Sequence, residues 1–100
     1  MSRFLVTYHG SGMPDDPAML EQAKAAFGAW VQEAGSAIVD PGAPVMMVGQ
    51  VSNETAADPA EIGGYSIIEA DSPQAAEDVL RSHPYVARGG TLQVNQIVDV

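Results

Sequence analysis

Three short stretches of the chain are rich in β-forming residues, with apolar side chains at both odd and even positions, and two longer ones have apolar residues at every third or fourth position. The stretches Arg3–Tyr8, Gly64–Glu69 and Thr91–Val98 are predicted to be β-strands. The stretch from Pro17 to about Ala34 has the period of an amphipathic helix, and Pro73 to about Ser82 predicts a second helix. These patterns predict strands and helices in alternation.

The residues at the ends of both predicted helices are typical of helix boundaries. Asp16-Pro17 and Ser72-Pro73 each combine a favoured N-cap residue with a proline in the first turn, where its missing N–H has no cost. Gly35 is the expected C-terminal stop of the first helix. Trp30 belongs to the apolar face of that helix and is predicted to lie in the core.

The segments between these elements are less regular. Gly10–Pro14 is predicted to be a loop because it is rich in glycine and ends in proline. Ala37–Val39 predicts a short strand, and the two prolines and the glycine of Asp40–Pro44 predict a turn. Val45–Val51 is a further β-like run, and Ser52–Ile62 is predicted to be a polar loop.

The order of elements is therefore β-α-β, an extra β segment, and then β-α-β, within one domain that spans residues 1–100. This order predicts an α+β, ferredoxin-like fold, in which an antiparallel sheet carries both helices on one face. The strands have apolar residues on both faces, whereas two helices cover only one. We therefore expect a second copy of the chain to pack on the open face and form a homodimer.

Composition and charge argue against several kinds of partner and site. Thirteen acidic and four basic residues give a net charge of −9, so nucleic acid and anionic membranes are not expected to bind. The chain has no cysteine and two widely separated histidines, so neither a metal site nor a cofactor is predicted. The N-terminal apolar run is too short for a signal peptide, which predicts a cytoplasmic location.

Two residues are candidates for catalysis. His9 ends the first strand, where an imidazole can act as a general base at a pocket mouth, although a surface histidine is the simpler interpretation. Asp40 is fixed by the following Pro41 and Gly42 and can orient His9 as the second member of an acid–base pair. The alternative for Asp40 is a turn residue that accepts hydrogen bonds from its own downstream backbone.

Four residues are candidates for ligand binding. Tyr65 and Tyr85 offer amphipathic rings for stacking or hydrogen bonding, with packing as the alternative. Gln93 and Asn95 stand two positions apart on the last strand, so their amides share a face and need partners in a core, a pocket or a dimer interface.

His83 follows the second helix, where the helix dipole favours a cationic capping role.

Three segments resemble the YCII-related family of small bacterial proteins, in particular its DGPF-type branch. They are Val39-Asp40-Pro41-Gly42-Ala43-Pro44, Gly64-Tyr65-Ser66-Ile67-Ile68-Glu69-Ala70-Asp71-Ser72, and His83-Pro84-Tyr85-Val86 with Gly89-Gly90. The resemblance covers nearly the whole chain and implies a ferredoxin-like fold that dimerises as an α+β barrel. Some members carry a His/Asp pair with the histidine on the first helix, whereas Pro17–Ala34 contains no histidine here.

These observations leave three hypotheses for function. The first is a small-molecule-binding or accessory protein with a pocket near the dimer interface or in the region Pro41–Ile62. The second is an enzyme that acts on a small aromatic or carbonyl compound through His9 and Asp40. The third is a purely structural or protein-interaction role. An enzyme requires the two side chains at one site, whereas a binding protein requires only a concave apolar cavity with a few polar groups.

Overall fold

A four-stranded antiparallel sheet with its helices on one face forms the protein, in agreement with the predicted α+β, ferredoxin-like arrangement. The computed structural model describes residues 1–10 and 15–100. The strand order is β2-β3-β1-β4. A short 3₁₀ turn, Gly35–Ala37, follows the first helix, and the other elements are, in chain order, β1 (Ser2–His9), α1 (Pro17–Ala34), β2 (Ile38–Pro44), β3 (Gly64–Ala70), α2 (Pro73–Leu80), α3 (Pro84–Ala87) and β4 (Thr91–Gln96).

The predicted helix boundaries of α1 and the start of α2 are confirmed. The Asp16 side chain accepts a hydrogen bond from the Ala18 N–H at 2.9 Å, and the Ser72 hydroxyl accepts one from the Ala75 N–H at 3.1 Å. Gly35 ends α1 with a positive φ of 56°. These bonds satisfy N–H groups that have no partner inside a first helical turn.

The core lies between the helices and one face of the sheet. Phe4 and Val6 of β1 alternate onto the helix side, and the register pairs Phe4 with Ile68 of β3. Trp30 of α1 is 3% exposed and packs in the same cluster as Ala76 and Leu80 of α2. Both long helices therefore cover the same face, as the order of elements predicts, and Trp30 is a core residue.

Strand β2 is longer than predicted and includes the segment that was expected to form a turn. It extends to Pro44, with irregular register on either side of Asp40. Two prolines are tolerated because β2 is an edge strand, where a missing N–H costs no ladder hydrogen bond. Gly42 adopts φ +79°, a conformation that favours glycine.

The extra β segment predicted at Val45–Val51 is wrong. Residues 45–63 form no helix or strand, and their apolar side chains are exposed, with Met46 at 82%. This loop is closed at its base by hydrogen bonds from the Val45 N–H to the Gly63 carbonyl and from the Gly63 N–H to the Tyr8 carbonyl. A β-like run needs a partner strand, and none lies beside this one among the described residues.

The C-terminal third also departs from the prediction. Helix α2 ends at Leu80, and the short helix α3, which was not predicted, follows at Pro84–Ala87. Strand β4 ends at Gln96, so Val98 lies beyond the sheet. Gly89 turns the chain into β4 with φ +93°, as expected for the Gly89-Gly90 pair. Of the predicted loop Gly10–Pro14, residues 11–14 lie outside the described residues.

The open face of the sheet is mixed in character. Leu5 and Ile67 pair across β1 and β3 on this face and are half-buried. Thr7 is buried beside them, and Arg3 forms an exposed ion pair with Glu69 at 3.4 Å. The face is therefore less apolar than the strand pattern alone suggests.

We expect Gly42→Ala to destabilise the domain, whereas Gly28→Ala should not. A β-carbon at Gly42 would overlap the carbonyl oxygen of Tyr65, and the positive φ is unfavourable for alanine, so the free energy of unfolding should fall by more than about 1 kcal/mol. Gly28 lies in α1 with open space around it, and alanine there should add up to about 1 kcal/mol. Equal urea midpoints for the two variants would contradict this account of β2.

Candidate functional site

A cavity of about 450 Å³ opens on the helix side of the sheet, between α1, α3 and one end of strands β1, β2 and β3. This volume lies within the range of ligand-binding pockets, and the walls are largely apolar or aromatic, as such pockets usually are. They are formed by Tyr8, Leu20, Ala23, Lys24, Phe27, Pro41, Gly42, Ala43, Pro44, Gly63, Gly64, Tyr65, His83, Tyr85 and Arg88.

A chain of hydrogen bonds runs beside this cavity, and its proton positions follow from the partners. The Ser66 hydroxyl must donate to the Pro41 carbonyl at 2.8 Å, because a carbonyl oxygen only accepts. Ser66 Oγ therefore accepts from the Tyr8 hydroxyl at 2.8 Å. Having given its only proton to Ser66, Tyr8 Oη accepts from Nε2 of His83, also at 2.8 Å.

The other ring nitrogen of His83 fixes its tautomer. Nδ1 of His83 accepts a hydrogen bond from the backbone N–H of Tyr85 at 3.0 Å, so it carries no proton. The neutral ring must then be protonated at Nε2, which agrees with its donation to Tyr8. The hydrogen bonds are thus all donated in one direction, from the Tyr85 N–H through His83, Tyr8 and Ser66 to the carbonyl of Pro41.

The environment of His83 favours this neutral form. The residue is 2% exposed, and its ring lies 4.3 Å from the Trp30 ring and 5.6 Å from the Phe27 ring, measured between centroids. Burial, and to a smaller extent the positive charge of Arg88, lower the pKa of His83 to about 4. The expected cationic role at the end of α2 is therefore wrong, and His83 instead caps the start of α3.

Tyr8 belongs to this hydrogen-bond network and, like His83, borders the cavity. Burial raises the pKa of its hydroxyl above the usual value, Ser66 opposes this shift through its hydrogen bond, and Tyr85 adds to it. Tyr8 is therefore a neutral phenol at pH 7. With its proton donated to Ser66 and one lone pair used by His83, Tyr8 Oη keeps one lone pair for a further donor.

The structure does not bring the two candidate catalytic residues together. Nε2 of His9 lies 2.7 Å from the Thr7 hydroxyl. Asp40 accepts from the Gly42 N–H at 2.8 Å and from the Tyr65 hydroxyl at 3.4 Å, which is the turn-stabilising interaction considered as its alternative role. Strand β3 separates β1 from β2, which puts the two backbones about 10 Å apart.

The register adds a further offset along the strands. Asp40 pairs with Ile67, which pairs with Leu5, four residues before His9. Neither His9 nor Asp40 borders the cavity. A role for either in catalysis remains a prediction from the sequence.

Two of the four predicted ligand-binding residues border the cavity. Tyr65 and Tyr85 are part of its wall, and the Tyr85 hydroxyl donates to the Gly10 carbonyl at 3.1 Å. Gln93 and Asn95 lie on the open face instead, where the Gln93 amide donates to Asn95 at 3.1 Å and the Asn95 amide donates to the Leu5 carbonyl at 3.0 Å. These two amides find their partners within the sheet.

Sequence reasoning missed Tyr8 and the buried role of His83. A signal for Tyr8 was present, because it has the same parity as Phe4 and Val6 and therefore points to the helix-covered face. His83 gave no comparable signal, because its burial depends on the unpredicted helix α3.

In residues 1–10 and 15–100, no group of three or more histidine or acidic side chains is arranged to hold a metal ion. The same part of the chain has no helix with the length and apolar character needed to cross a bilayer.

We expect the stability of the protein to fall between pH 7 and pH 5 because of His83. The unfolded chain protonates this residue near its ordinary pKa of about 6.5, whereas the folded chain does so only near 4, so acid favours the unfolded state in that window. Over this range the free energy of unfolding of the wild type should fall by about 2 kcal/mol more than that of His83→Gln. Tyr8, which bonds to the His83 ring, stays neutral there because burial raises the pKa of its hydroxyl. An NMR titration of the His83 ring with a midpoint near 6.5 would contradict the assignment.

Comparison with known proteins identifies a similar fold. No family model and no curated protein sequence matches the chain. Among solved structures, 5-chloro-2-hydroxyhydroquinone dehydrochlorinase (TftG) from Burkholderia phenoliruptrix AC1100, in complex with 2,5-dihydroxybenzoquinone, superposes with a TM-score of 0.57. The identity is 18% over 91% of this chain and 90% of that one. The chain thus shares its fold with an enzyme across nearly its whole length.

Proposed function

We propose that this chain binds a small planar aromatic or quinoid molecule in the cavity beside Tyr8. The observation that carries this proposal is the cavity itself, which joins walls of mainly apolar and aromatic character to a fixed polar group at Tyr8. Pockets of this kind bind small molecules by apolar burial and use a few polar atoms to orient them.

The shape of the walls favours a flat ligand. Phe27 of α1 and the rings of Tyr8 and Tyr85 border one space, where aromatic rings offer faces and edges to a planar partner. The segment from Pro41 to Pro44 forms another part of the wall and consists of small residues. A flat molecule can lie against the rings and this segment, while the long side chains of Lys24 and Arg88 line another part of the cavity.

The shared fold supports this ligand class. TftG has been solved with 2,5-dihydroxybenzoquinone, so one protein of this fold accommodates a small quinoid ring. The same fold agrees with the resemblance to the YCII-related family, and membership of that family is part of the proposal.

An enzyme that acts on a small aromatic or carbonyl compound is the alternative. It is favoured by the dehydrochlorinase activity in the name of TftG. A His9/Asp40 acid–base pair would need both side chains to meet on one substrate, which their positions on β1 and β2 do not favour.

Binding can be tested with a neutral planar probe and two alanine positions on α1. Ala23 is buried at the cavity wall, whereas Ala25 is exposed and does not border the cavity. We expect 4-nitroanisole to quench the fluorescence of the single tryptophan, because Trp30 packs against His83 and Phe27 of the wall. Ala23→Leu should weaken binding about tenfold or more by filling the cavity, whereas Ala25→Leu should not. Equal binding by both variants would reject this site.

We also propose that the chain forms a homodimer through apolar surface that is exposed in the single chain. The 45–63 loop leaves Met46, Met47 and Val48 largely exposed, and the open face adds Leu5 and Ile67. The radius of gyration, 14.7 Å, exceeds the value of about 13 Å expected for a compact domain of 100 residues. A second copy would bury surface of this kind.

Sedimentation equilibrium at micromolar concentration tests the dimer. We expect a mass near twice the chain mass of 10.4 kDa. Met46→Glu should shift the equilibrium towards the monomer, because it places a charge in the proposed interface, whereas Met19→Glu, an exposed position on α1, should not. A single-chain mass for the wild type would reject the proposal.

A further inference from the structure

The charged side chains that line the cavity are basic, in contrast to the acidic composition of the chain as a whole. The chain has thirteen acidic and four basic residues, yet no aspartate or glutamate is among the cavity-lining residues of the described part of the chain. Lys24 and Arg88, half of all the basic side chains, both line it. Two of the four basic side chains of this acidic protein thus lie at one place, the wall of its apolar cavity.

The other two basic residues lie elsewhere, in exposed ion pairs. Arg3 pairs with Glu69 on the open face of the sheet, and Arg81 pairs with Asp78 on α2. Neither Arg3 nor Arg81 borders the cavity. The positive charge at the cavity is therefore a local feature.

Lys24 and Arg88 differ in how firmly they are held. The Lys24 side chain is 67% exposed and lies 3.5 Å from Glu21 one turn earlier on α1, a surface pair that contributes little and is easily exchanged for a ligand. Arg88 follows α3 and is half-buried, close enough to His83 for its charge to act on that ring. The two cations thus border the cavity from α1 and from the end of α3.

We propose that the ligand of this cavity carries an anionic oxygen, as a phenolate or an aromatic carboxylate, which faces Lys24 and Arg88. This inference rests on the proposed binding of an aromatic molecule and adds its charge. A guanidinium group is suited to such an oxygen because its N–H groups are fixed in a plane and bind in pairs.

Tyr8 helps to determine how the ligand is oriented in the cavity. Its proton is committed to Ser66, so Tyr8 Oη has no hydrogen left to donate to a ligand. An anionic oxygen therefore gains no hydrogen bond from Tyr8 and is attracted to the two cations. The ligand therefore binds with its anionic group towards Lys24 and Arg88 and with its ring against the aromatic wall.

A pair of probes that differ in charge tests this inference. 4-Nitrophenol, held at a pH at which it is a phenolate, is compared with its neutral methyl ether 4-nitroanisole, and both are followed by quenching of Trp30 and by equilibrium dialysis. We expect the wild type to bind the phenolate about tenfold more tightly than the ether, and this preference should decrease as salt is added.

Three substitutions that each remove one positive charge show which residues cause the preference for the phenolate. Lys24→Gln and Arg88→Gln should each reduce the preference for the phenolate, measured as the ratio of the two dissociation constants, about threefold or more. Arg81→Gln removes the same charge away from the cavity and should leave the preference unchanged. If Arg88→Gln fails to fold, the exposed Lys24 position still decides the matter.

The possible failures are distinguishable. Equal binding of phenolate and ether, or an equal effect of Arg81→Gln and Lys24→Gln, would overturn the anionic ligand and leave the binding of an aromatic molecule intact. Binding of neither probe, or binding that Ala23→Leu does not weaken, would overturn the proposed function itself.

Discussion

The hydrogen-bond chain from the Tyr85 N–H to the Pro41 carbonyl is the constraint on which the site depends. It joins four elements, because His83 precedes α3, Tyr8 belongs to β1, Ser66 to β3 and Pro41 to β2. Each of these groups is at least partly removed from water, so the loss of any link leaves a polar atom unpaired at considerable cost. The edge strand β2, which has an irregular ladder, is held against β3 partly by this chain.

The hydrogen-bonding groups of this network are already engaged with one another, which limits the chemistry of the site. A buried histidine is usually considered first as a general base, but both nitrogens of His83 are already engaged and its proton points to Tyr8. Within this hydrogen-bond network, the group that remains for a ligand is one lone pair on Tyr8. An arrangement of this kind is suited to orienting a molecule and not to moving a proton, because its ends are a backbone N–H that only donates and a carbonyl that only accepts.

The sequence predicted the fold where the signals are local, but it did not predict the parts of the site that depend on residues far apart in the chain. Asp16-Pro17 and Ser72-Pro73 identify helix starts because capping involves residues only a few positions apart. Strand β2 was misread, because whether Asp40–Pro44 forms a turn or an edge strand depends on β3, its partner from later in the chain. The parity of Tyr8 was available from Phe4 and Val6, but its partners come from positions 66 and 83, and no local pattern links them.

The net charge of the chain and the charges at the cavity have different consequences for binding. A net charge of −9 suggests that anions are repelled, and at long range they are. At physiological salt, however, the field of exposed charges decays over about 8 Å, so an anion at the cavity mouth responds mainly to groups within that distance. Within the cavity wall those groups are Lys24, whose nearest carboxylate is Glu21, and Arg88, whose half-buried position strengthens its attraction for an anion. Net charge therefore describes the partners that a whole surface disfavours, whereas the placement of a few cations decides what one cavity accepts.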